Sequence, residues 1–389
     1  MSKRKKLEII GVLSLSFILT SALAVSGSIP AMIEEFSNYS RGNVELLLSV
    51  TAFTMMLMIV LSPLIAKYIP ERTVVSVGLL IYAVTGIIPV FIQSYPVIFA
   101  SRIVFGLGTG LVNAKAITMV GERFTGDLQQ KLQGIRCSME TLGQTILTLT
   151  AGKLLVFGWN YSFLVYAVAF LILIIFLMFV PEKENSFAAN TSEPASKGKL
   201  TSRELPFIVG NALLGFLMVS TNVSLSLRIS SYMLETGIGT AADGAMIMSI
   251  STFAGFLAGI IFGSMSEKLG KHLLTVSLAT GLTGLFVIII ANNFVLVAAG
   301  ASLVGFCVTC CTSKVFGSLP EHLPSNTLAT ANACVLVGCN MGSFTSPFLL
   351  RIVDQINPAI NASFWAYGFI YTGLIIWVIL NQFVLKKNY

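Results

Sequence analysis

Charged side chains are scarce in this sequence. Only 11% of its 389 residues are Asp, Glu, Lys or Arg, whereas a soluble chain carries about 25%. Hydrophobic residues make up 55% of the chain, and the mean hydropathy is +0.86. Such a composition cannot cover a globular surface with polar groups, so it excludes a soluble globular protein and predicts one embedded in a bilayer.

Histidine is almost absent, and cysteine is sparse. The two histidines fall at predicted helix ends, and the six cysteines all lie in apolar segments. The sequence CVTCC at 307–311 is interpreted as small residues packed between close helices rather than as metal ligands. We find no nucleophile, base or metal constellation and no phosphate-binding P-loop. The sequence therefore predicts no metal, no cofactor, no ATP-driven step and no enzymatic activity.

Long apolar runs dominate what the sequence does contain. A helix that spans a bilayer needs roughly 20 mostly apolar residues, whereas spanning strands would alternate apolar and polar residues. The runs are apolar all round, so they predict helices. Twelve runs are long enough, at 8–33, 44–66, 73–93, 96–120, 134–157, 160–180, 205–233, 243–265, 272–291, 294–318, 328–350 and 363–384.

The chain repeats one plan twice. A polar stretch at 181–204 is interpreted as a flexible cytoplasmic linker between halves at 1–180 and 205–389. At an offset of 199 residues, Lys115 aligns with Lys314 and Gly143 with Gly342. Such a repeat is typical of a duplicated membrane bundle. The predicted fold is an all-α membrane protein, with 12 transmembrane helices in two pseudo-symmetric six-helix bundles.

The basic residues predict the orientation. Most of the 24 Lys and Arg residues fall on the side of the N-terminus, and such residues are in excess in cytoplasmic loops. We therefore expect a multi-pass protein of the cell membrane, surrounded by lipid, with both termini cytoplasmic. The net charge of +7 then reflects topology, and no basic patch indicates nucleic acid. Nothing in the sequence argues against a monomer.

One loop motif is specific to a family. The sequence GSMSEKLGKH between spans eight and nine resembles G-x-L-x-D-R-x-G-R-R, the loop signature of the major facilitator superfamily. In that family the loop takes part in conformational change. The first copy, between spans two and three, departs from the pattern, with Ala66 at the acidic position and Ile69 at the second glycine. The matching residues of the second copy are Gly263, Glu267, Lys268, Gly270 and Lys271.

Two further stretches resemble proton-coupled members of the superfamily. RIVFGLGTG, which begins at Arg102, is similar to the fourth-helix pattern R-x-x-x-G-x-G, whose arginine is implicated in proton coupling. The stretch Gly27–Phe53 resembles the start of the drug:proton antiporters. Their fifth-helix motif is half present, because Gly134 and Gly143 are spaced correctly while Gln144 replaces the proline.

Several charges stand inside the apolar runs. Lys115 and Glu140 lie at similar distances from the loop between spans four and five, so we expect them to pair at one depth. Glu140 is the only clear intramembrane acid that the sequence indicates. The position equivalent to Glu140 in the second half is Cys339, so Lys314 is expected to lack an acidic partner.

Two readings of these charges stay open. Arg228, Lys314, Lys115 and Asn222 are the candidate substrate-binding residues, since bases around a cavity attract anions. The alternatives are lysine or arginine side chains that reach the headgroups, and an asparagine that serves helix packing.

The resemblance implies a secondary transporter working by alternating access on a small-molecule substrate. The preferred prediction is proton-coupled export of small organic molecules or drugs, with Glu140 and Arg102 in proton coupling. The alternative is a carrier of a small anion, similar to the cyanate, nitroimidazole or oxalate carriers of the superfamily, with a positively charged cavity. A channel, a receptor and a membrane-embedded enzyme are disfavoured, because the sequence contains neither an output domain nor a catalytic constellation.

Overall fold

A computed structural model describes residues 3–124, 126–182 and 204–386 of the chain. The chain divides into two compact units, Met1–Ser196 and Lys197–Tyr389, and each is described by itself. The predicted linker at 181–204 lies largely outside the described residues, so its character and the predicted boundaries of the halves stay predictions.

The first unit is built from helices throughout its described residues. Its first span is interrupted by short 3-10 turns at Leu15–Ile18, Ser21–Leu23 and Ser26–Ser28, and its last span begins with a 3-10 segment, Trp159–Ala167. The α-helices are α1 (Lys3–Ser14), α2 (Ile29–Glu35), α3 (Arg41–Tyr68), α4 (Glu71–Phe91), α5 (Tyr95–Arg123), α6 (Gly126–Leu154) and α7 (Val168–Phe179).

The second unit has longer and more regular helices. A 3-10 turn at Gly270–His272 joins two of them, and Gly270 has φ +47°, a conformation that favours glycine. The helices are α8 (Leu205–Glu235), α9 (Ala241–Leu269), α10 (Leu273–Ile290), α11 (Phe294–His322), α12 (Ser325–Ile356) and α13 (Ala362–Lys386).

The helices give twelve spans. Among the described residues, nine segments are long and apolar enough to cross a membrane, and the interrupted first span, bent by 45°, makes a tenth. One of the nine, Ala241–Ile290, contains both α9 and α10, and α6 completes the twelve. The helix α6 is more polar than the other spans, since it contains charged residues and several Gln and Thr residues. The predicted all-α fold with 12 helices is confirmed.

Packing inside each unit repeats the duplication seen in the sequence. A Cβ atom on Gly143 would collide with the backbone carbonyl of Phe17, and one on Gly342 would collide with the carbonyl of Phe216. Both glycines and both carbonyls are related by the offset of 199. Only glycine allows the backbones to approach so closely at these points.

Candidate functional site

The interruption of the first span is the most irregular feature of the first unit. The chain turns between two 3-10 segments at Leu19 and Thr20, close to the middle of the span. Thr20 is exposed, and its hydroxyl donates to the backbone carbonyl of Glu140 at 3.4 Å. The interruption was not predicted, because the nearest proline, Pro30, lies inside α2.

Glu140 occupies the midpoint of α6, fourteen residues from either end. Its Oε2 atom lies 3.2 Å from Nη1 of Arg136, one turn earlier on the same helix. The side chains of Arg136 and Glu140 are 13% and 24% exposed. The predicted pair with Lys115 is wrong, since Glu140 contacts Arg136 instead. A neighbour four residues away on the same helix reaches the carboxylate without any adjustment between helices. Lys115 is half-buried and is engaged elsewhere in the structure.

Arg102 lies in a different environment, fully enclosed in the first unit. Its exposed fraction is 0%, and its Nη2 donates to the carbonyls of Thr85 at 2.8 Å and Gly86 at 3.0 Å. No carboxylate is among its partners in the described part of the unit. The guanidinium instead lies against three aromatic rings, whose faces attract a cation. The ring centroids are 4.5 Å away for Phe105, 5.1 Å for Phe163 and 5.3 Å for Tyr166.

Arg102 and Glu140 do not touch, but both are connected to the interrupted span. On the Arg102 side, the Tyr166 hydroxyl donates to the carbonyl of Ala22 at 3.0 Å. The hydroxyls of Tyr82 and Ser21 are 2.5 Å apart. On the Glu140 side the contact is made by Thr20. Thr20 therefore contacts Glu140 directly, and two residues further along Ala22 contacts Tyr166, whose ring lies against Arg102.

Arg228 in the second unit is held by an acid that the sequence reasoning missed. Its Nη1 and Nη2 atoms lie 3.0 and 2.7 Å from Oδ1 and Oδ2 of Asp354. The two side chains are 2% and 29% exposed. This bidentate pair joins α8 to α12 and neutralises a base that was expected to make a cavity positive. The sequence did indicate an acid at this point, since Asp354 lies two residues before the end of α12.

Asp354 is one of two acids that correct the expectation of a single intramembrane carboxylate. The other is Glu45, near the start of α3, which is 0% exposed and lies 3.5 Å from Arg41. Both acids stand within a helical turn or so of a span end, where the sequence alone suggests exposure to water. Packing of neighbouring elements encloses Glu45 completely, whereas Asp354 stays 29% exposed.

The remaining candidate substrate contacts are only partly enclosed. Lys314 is half-buried and takes part in an interaction within the structure, and the expectation that it lacks an acidic partner stays a prediction. Asn222 is half-buried, and among the described residues its side-chain amide makes no hydrogen bond.

The second copy of the loop motif forms the end of α9 and the turn after it. Its five matching residues are all exposed, and a Cβ on Gly263 would meet nothing within 4 Å. The positive φ of Gly270 explains why glycine occurs at this position. The charged side chains of the motif are not held by packing.

The cysteines of α11 are packing residues in the structure. Cys307, Cys310 and Cys311 are buried, with the sulfurs of Cys307 and Cys311 3.9 Å apart. No group of three or more His, Cys, Asp or Glu side chains able to hold a metal ion occurs in the part of the chain that the structure describes.

A comparison of equivalent positions in the two units shows which contacts both units make and which only one unit makes. Tyr166 donates to the carbonyl of Ser21 at 3.4 Å, and Tyr367 donates to that of Ser220 at the same distance. Such a contact is inherited packing. By contrast, the positions equivalent to Thr20, Arg136 and Glu140 are Val219, Val335 and Cys339. The polar group at the interrupted span therefore belongs to the first unit alone.

Each unit is thus a bundle of apolar helices with ion pairs and hydroxyl networks inside it. The family model of the Major Facilitator Superfamily matches residues 10–273, more than half of the chain. The chain belongs to this superfamily.

Solved transporter structures share the fold over nearly their whole length. A D-xylose–proton symporter is 16% identical, with a TM-score of 0.73 and coverage of 97% of both chains. A peptide transporter bound to alafosfalin is 14% identical, with a TM-score of 0.75 and coverage of 97% of this chain and 94% of the other. A nucleoside transporter is 12% identical, with a TM-score of 0.75 and coverage of 98% and 99%. No curated protein matches the sequence.

Proposed function

We propose that the protein is a proton-coupled secondary transporter that exports small organic molecules across the cell membrane by alternating access. The observation that carries the proposal is the position of Glu140, an accessible carboxylate at the midpoint of α6 with a single ionic contact. Secondary transporters of this kind place substrate and coupling-ion sites near the bilayer midplane.

Protonation of Glu140 would remove its attraction to Arg136. The Glu140 side chain is 24% exposed, so a proton can reach it. Because α6 lies against the interrupted first span at Thr20, a change in this ion pair acts on the least regular segment of the unit. The energy of the proton gradient can thereby be used to shift the conformational equilibrium.

Arg102 acts on the same interrupted segment as Glu140, through Tyr166 and Ala22. As a permanently charged and fully enclosed group, it cannot exchange protons at physiological pH. Its contribution is to hold Tyr166 against Ala22. We propose that it fixes the interrupted segment in the conformation to which Glu140 responds.

The alternative function, a carrier of small anions, depends on a positively charged cavity. Arg228, one of the three bases that suggested such a cavity, pairs with Asp354. Arg102, a further base in the apolar runs, is enclosed among carbonyls and rings. Lys115, Lys314 and Asn222 remain candidate substrate contacts under either function.

Inside-out membrane vesicles test the proposal directly. An acidic lumen is generated, and a panel of small organic cations, zwitterions and anions is added while a dye reports lumenal pH. Exchange of substrate for protons dissipates the gradient, and we expect Glu140→Gln to abolish this response. Glu35→Gln, at an exposed position at the end of α2, is the control and should respond as the native protein does. Full uphill transport by Glu140→Gln would refute proton coupling through this residue.

A further inference from the structure

Thr20, Arg136 and Glu140 form a polar group at the interruption of the first span, here named the break site. We propose that the break site binds a small zwitterion, with the substrate's ammonium on Glu140 and its carboxylate on Arg136. The inference rests on the proposed transport function, because it names the substrate class of that function.

The ion pair in the break site has the properties of an exchangeable contact. It consists of one oxygen–nitrogen contact at 3.2 Å, longer than the 2.7–2.9 Å usual for charge-assisted hydrogen bonds. The second oxygen of Glu140 makes no hydrogen bond to any described residue. The pair of Arg228 and Asp354 differs in each respect, since it is bidentate, has a contact of 2.7 Å and encloses its arginine.

The charge of the pair selects the ligand. Arg136 and Glu140 together carry no net charge, and their side chains are largely enclosed, at 13% and 24% exposed. A ligand with one charge changes that sum and adds the cost of a buried net charge. A zwitterion replaces each partner with a group of the same sign, so the sum stays at zero while both side chains keep an ionic contact.

Thr20 adds a third contact that suits an ammonium group. It is exposed, and its hydroxyl uses its proton in a long contact of 3.4 Å to the Glu140 carbonyl. The hydroxyl oxygen retains lone pairs that can accept from an ammonium N–H. Interrupted transmembrane helices are where transporters commonly recognise polar substrates, because the backbone there is not fully used by the helix.

The second unit provides an internal comparison. At the positions equivalent to the break site it has Val219, Val335 and Cys339. A Cβ on Gly215 would meet the Cys339 sulfur at 2.8 Å and a Val335 methyl at 3.8 Å, so these side chains pack against α8. The duplication by itself therefore yields an apolar contact here, and the polar group in the first unit requires a separate reason.

Binding by the purified protein, without any gradient, tests the inference. Each α-, β- and γ-amino acid of a panel is compared with its decarboxylated amine and its deaminated acid, using thermal unfolding and calorimetry. We expect at least one zwitterion to bind ten-fold or more tightly than both of its single-charge analogues. Amines or acids that bind as tightly as every zwitterion, or no zwitterion binding at all, would overturn the inference.

Variants assign the binding to the break site. Glu140→Gln and Arg136→Gln should each weaken zwitterion binding at least ten-fold, whereas the charge swap Arg136→Glu with Glu140→Arg should retain it within ten-fold. The swap also shows that loss in the single variants is not misfolding. Cys339→Ser, at the equivalent position of the second unit, is the matched control and should bind normally. Undiminished binding by Glu140→Gln would overturn the assignment.

The binding assay tests the zwitterion site and the vesicle assay tests proton coupling, so either proposal can be refuted while the other stands. Zwitterion binding that needs Glu140, without proton movement in vesicles, would leave the inference standing and refute proton coupling. Proton-coupled transport that needs Glu140, without any zwitterion binding, would leave the proposed function standing and refute the inference.

Discussion

The ion pair between Arg228 and Asp354 permits a prediction in which the two partners are not equivalent. Arg228 is 2% exposed, whereas Asp354 is 29% exposed. Asp354→Asn therefore removes the carboxylate from a nearly enclosed guanidinium, while Arg228→Met leaves a carboxylate that water already reaches. Removing one partner of a buried pair costs about 3–5 kcal/mol.

The expected magnitudes follow from this asymmetry. Because Asp354 is partly exposed, we expect Asp354→Asn to destabilise the protein by about 3 kcal/mol, at the lower end of that range. Arg228→Met should cost about 1–2 kcal/mol, since the apolar stem is kept. The double variant should cost little more than Arg228→Met alone, which gives a coupling energy of about 2–3 kcal/mol between the two sites.

The assay is equilibrium unfolding of the four proteins in detergent, with the free energy of unfolding obtained for each. Two results would refute the reasoning: a cost for Asp354→Asn no greater than that for Arg228→Met, or a double variant less stable than Asp354→Asn. Transport by the double variant separates two roles of Arg228. Retained transport means that the pair joins α8 to α12, whereas lost transport in a stable protein means that Arg228 contacts substrate.

Two further predictions concern the first unit. Gly143→Ala should destabilise it by about 1–3 kcal/mol because the new Cβ collides with the Phe17 carbonyl, whereas Gly210→Ala, with nothing within 4 Å, should be neutral or stabilising by about 0.5–1 kcal/mol. Thermal unfolding of both variants checks this, and equal shifts would contradict it. Arg102→Met should change stability by less than about 1.5 kcal/mol, because it leaves no carboxylate behind, but should lower proton-driven transport at least ten-fold in vesicles. Loss of the fold in that variant would assign Arg102 to structure alone.

Most of the helical architecture could be predicted from the sequence. The predicted spans at 205–233 and 294–318 correspond to Leu205–Glu235 and Phe294–His322, so the helices run a few residues further into the polar ends. A backbone in a bilayer must satisfy its hydrogen bonds within one segment, and an apolar run of sufficient length therefore determines a helix. The repeat at an offset of 199 aligned Gly143 with Gly342, and in the structure both glycines lie against equivalent backbone carbonyls.

The interruption of the first span could not be predicted in this way. The run at 8–33 is as apolar as its neighbours and has no proline at the break, so local sequence favours one continuous helix. In the structure, hydroxyls from Tyr82 and Tyr166 contact Ser21 and Ala22. The Tyr166 hydroxyl occupies a backbone carbonyl that a continuous helix would use for its own hydrogen bond, whereas Tyr82 contacts the Ser21 side chain. Both tyrosines lie more than sixty positions away in the chain.

The choice of ionic partners was also decided by tertiary structure. The sequence by itself determined that few charges lie in the bilayer, and at what approximate depth, because depth follows from the count of residues along a helix. It did not determine that Glu140 contacts Arg136 or that Arg228 contacts Asp354. The pairing of Arg228 with Asp354 depends on the rotation of two helices about their axes and on their being neighbours, and packing of the whole unit sets both. Arg136 lies one turn from Glu140 on the same helix, and the same packing decides that Lys115 on the neighbouring span does not take its place.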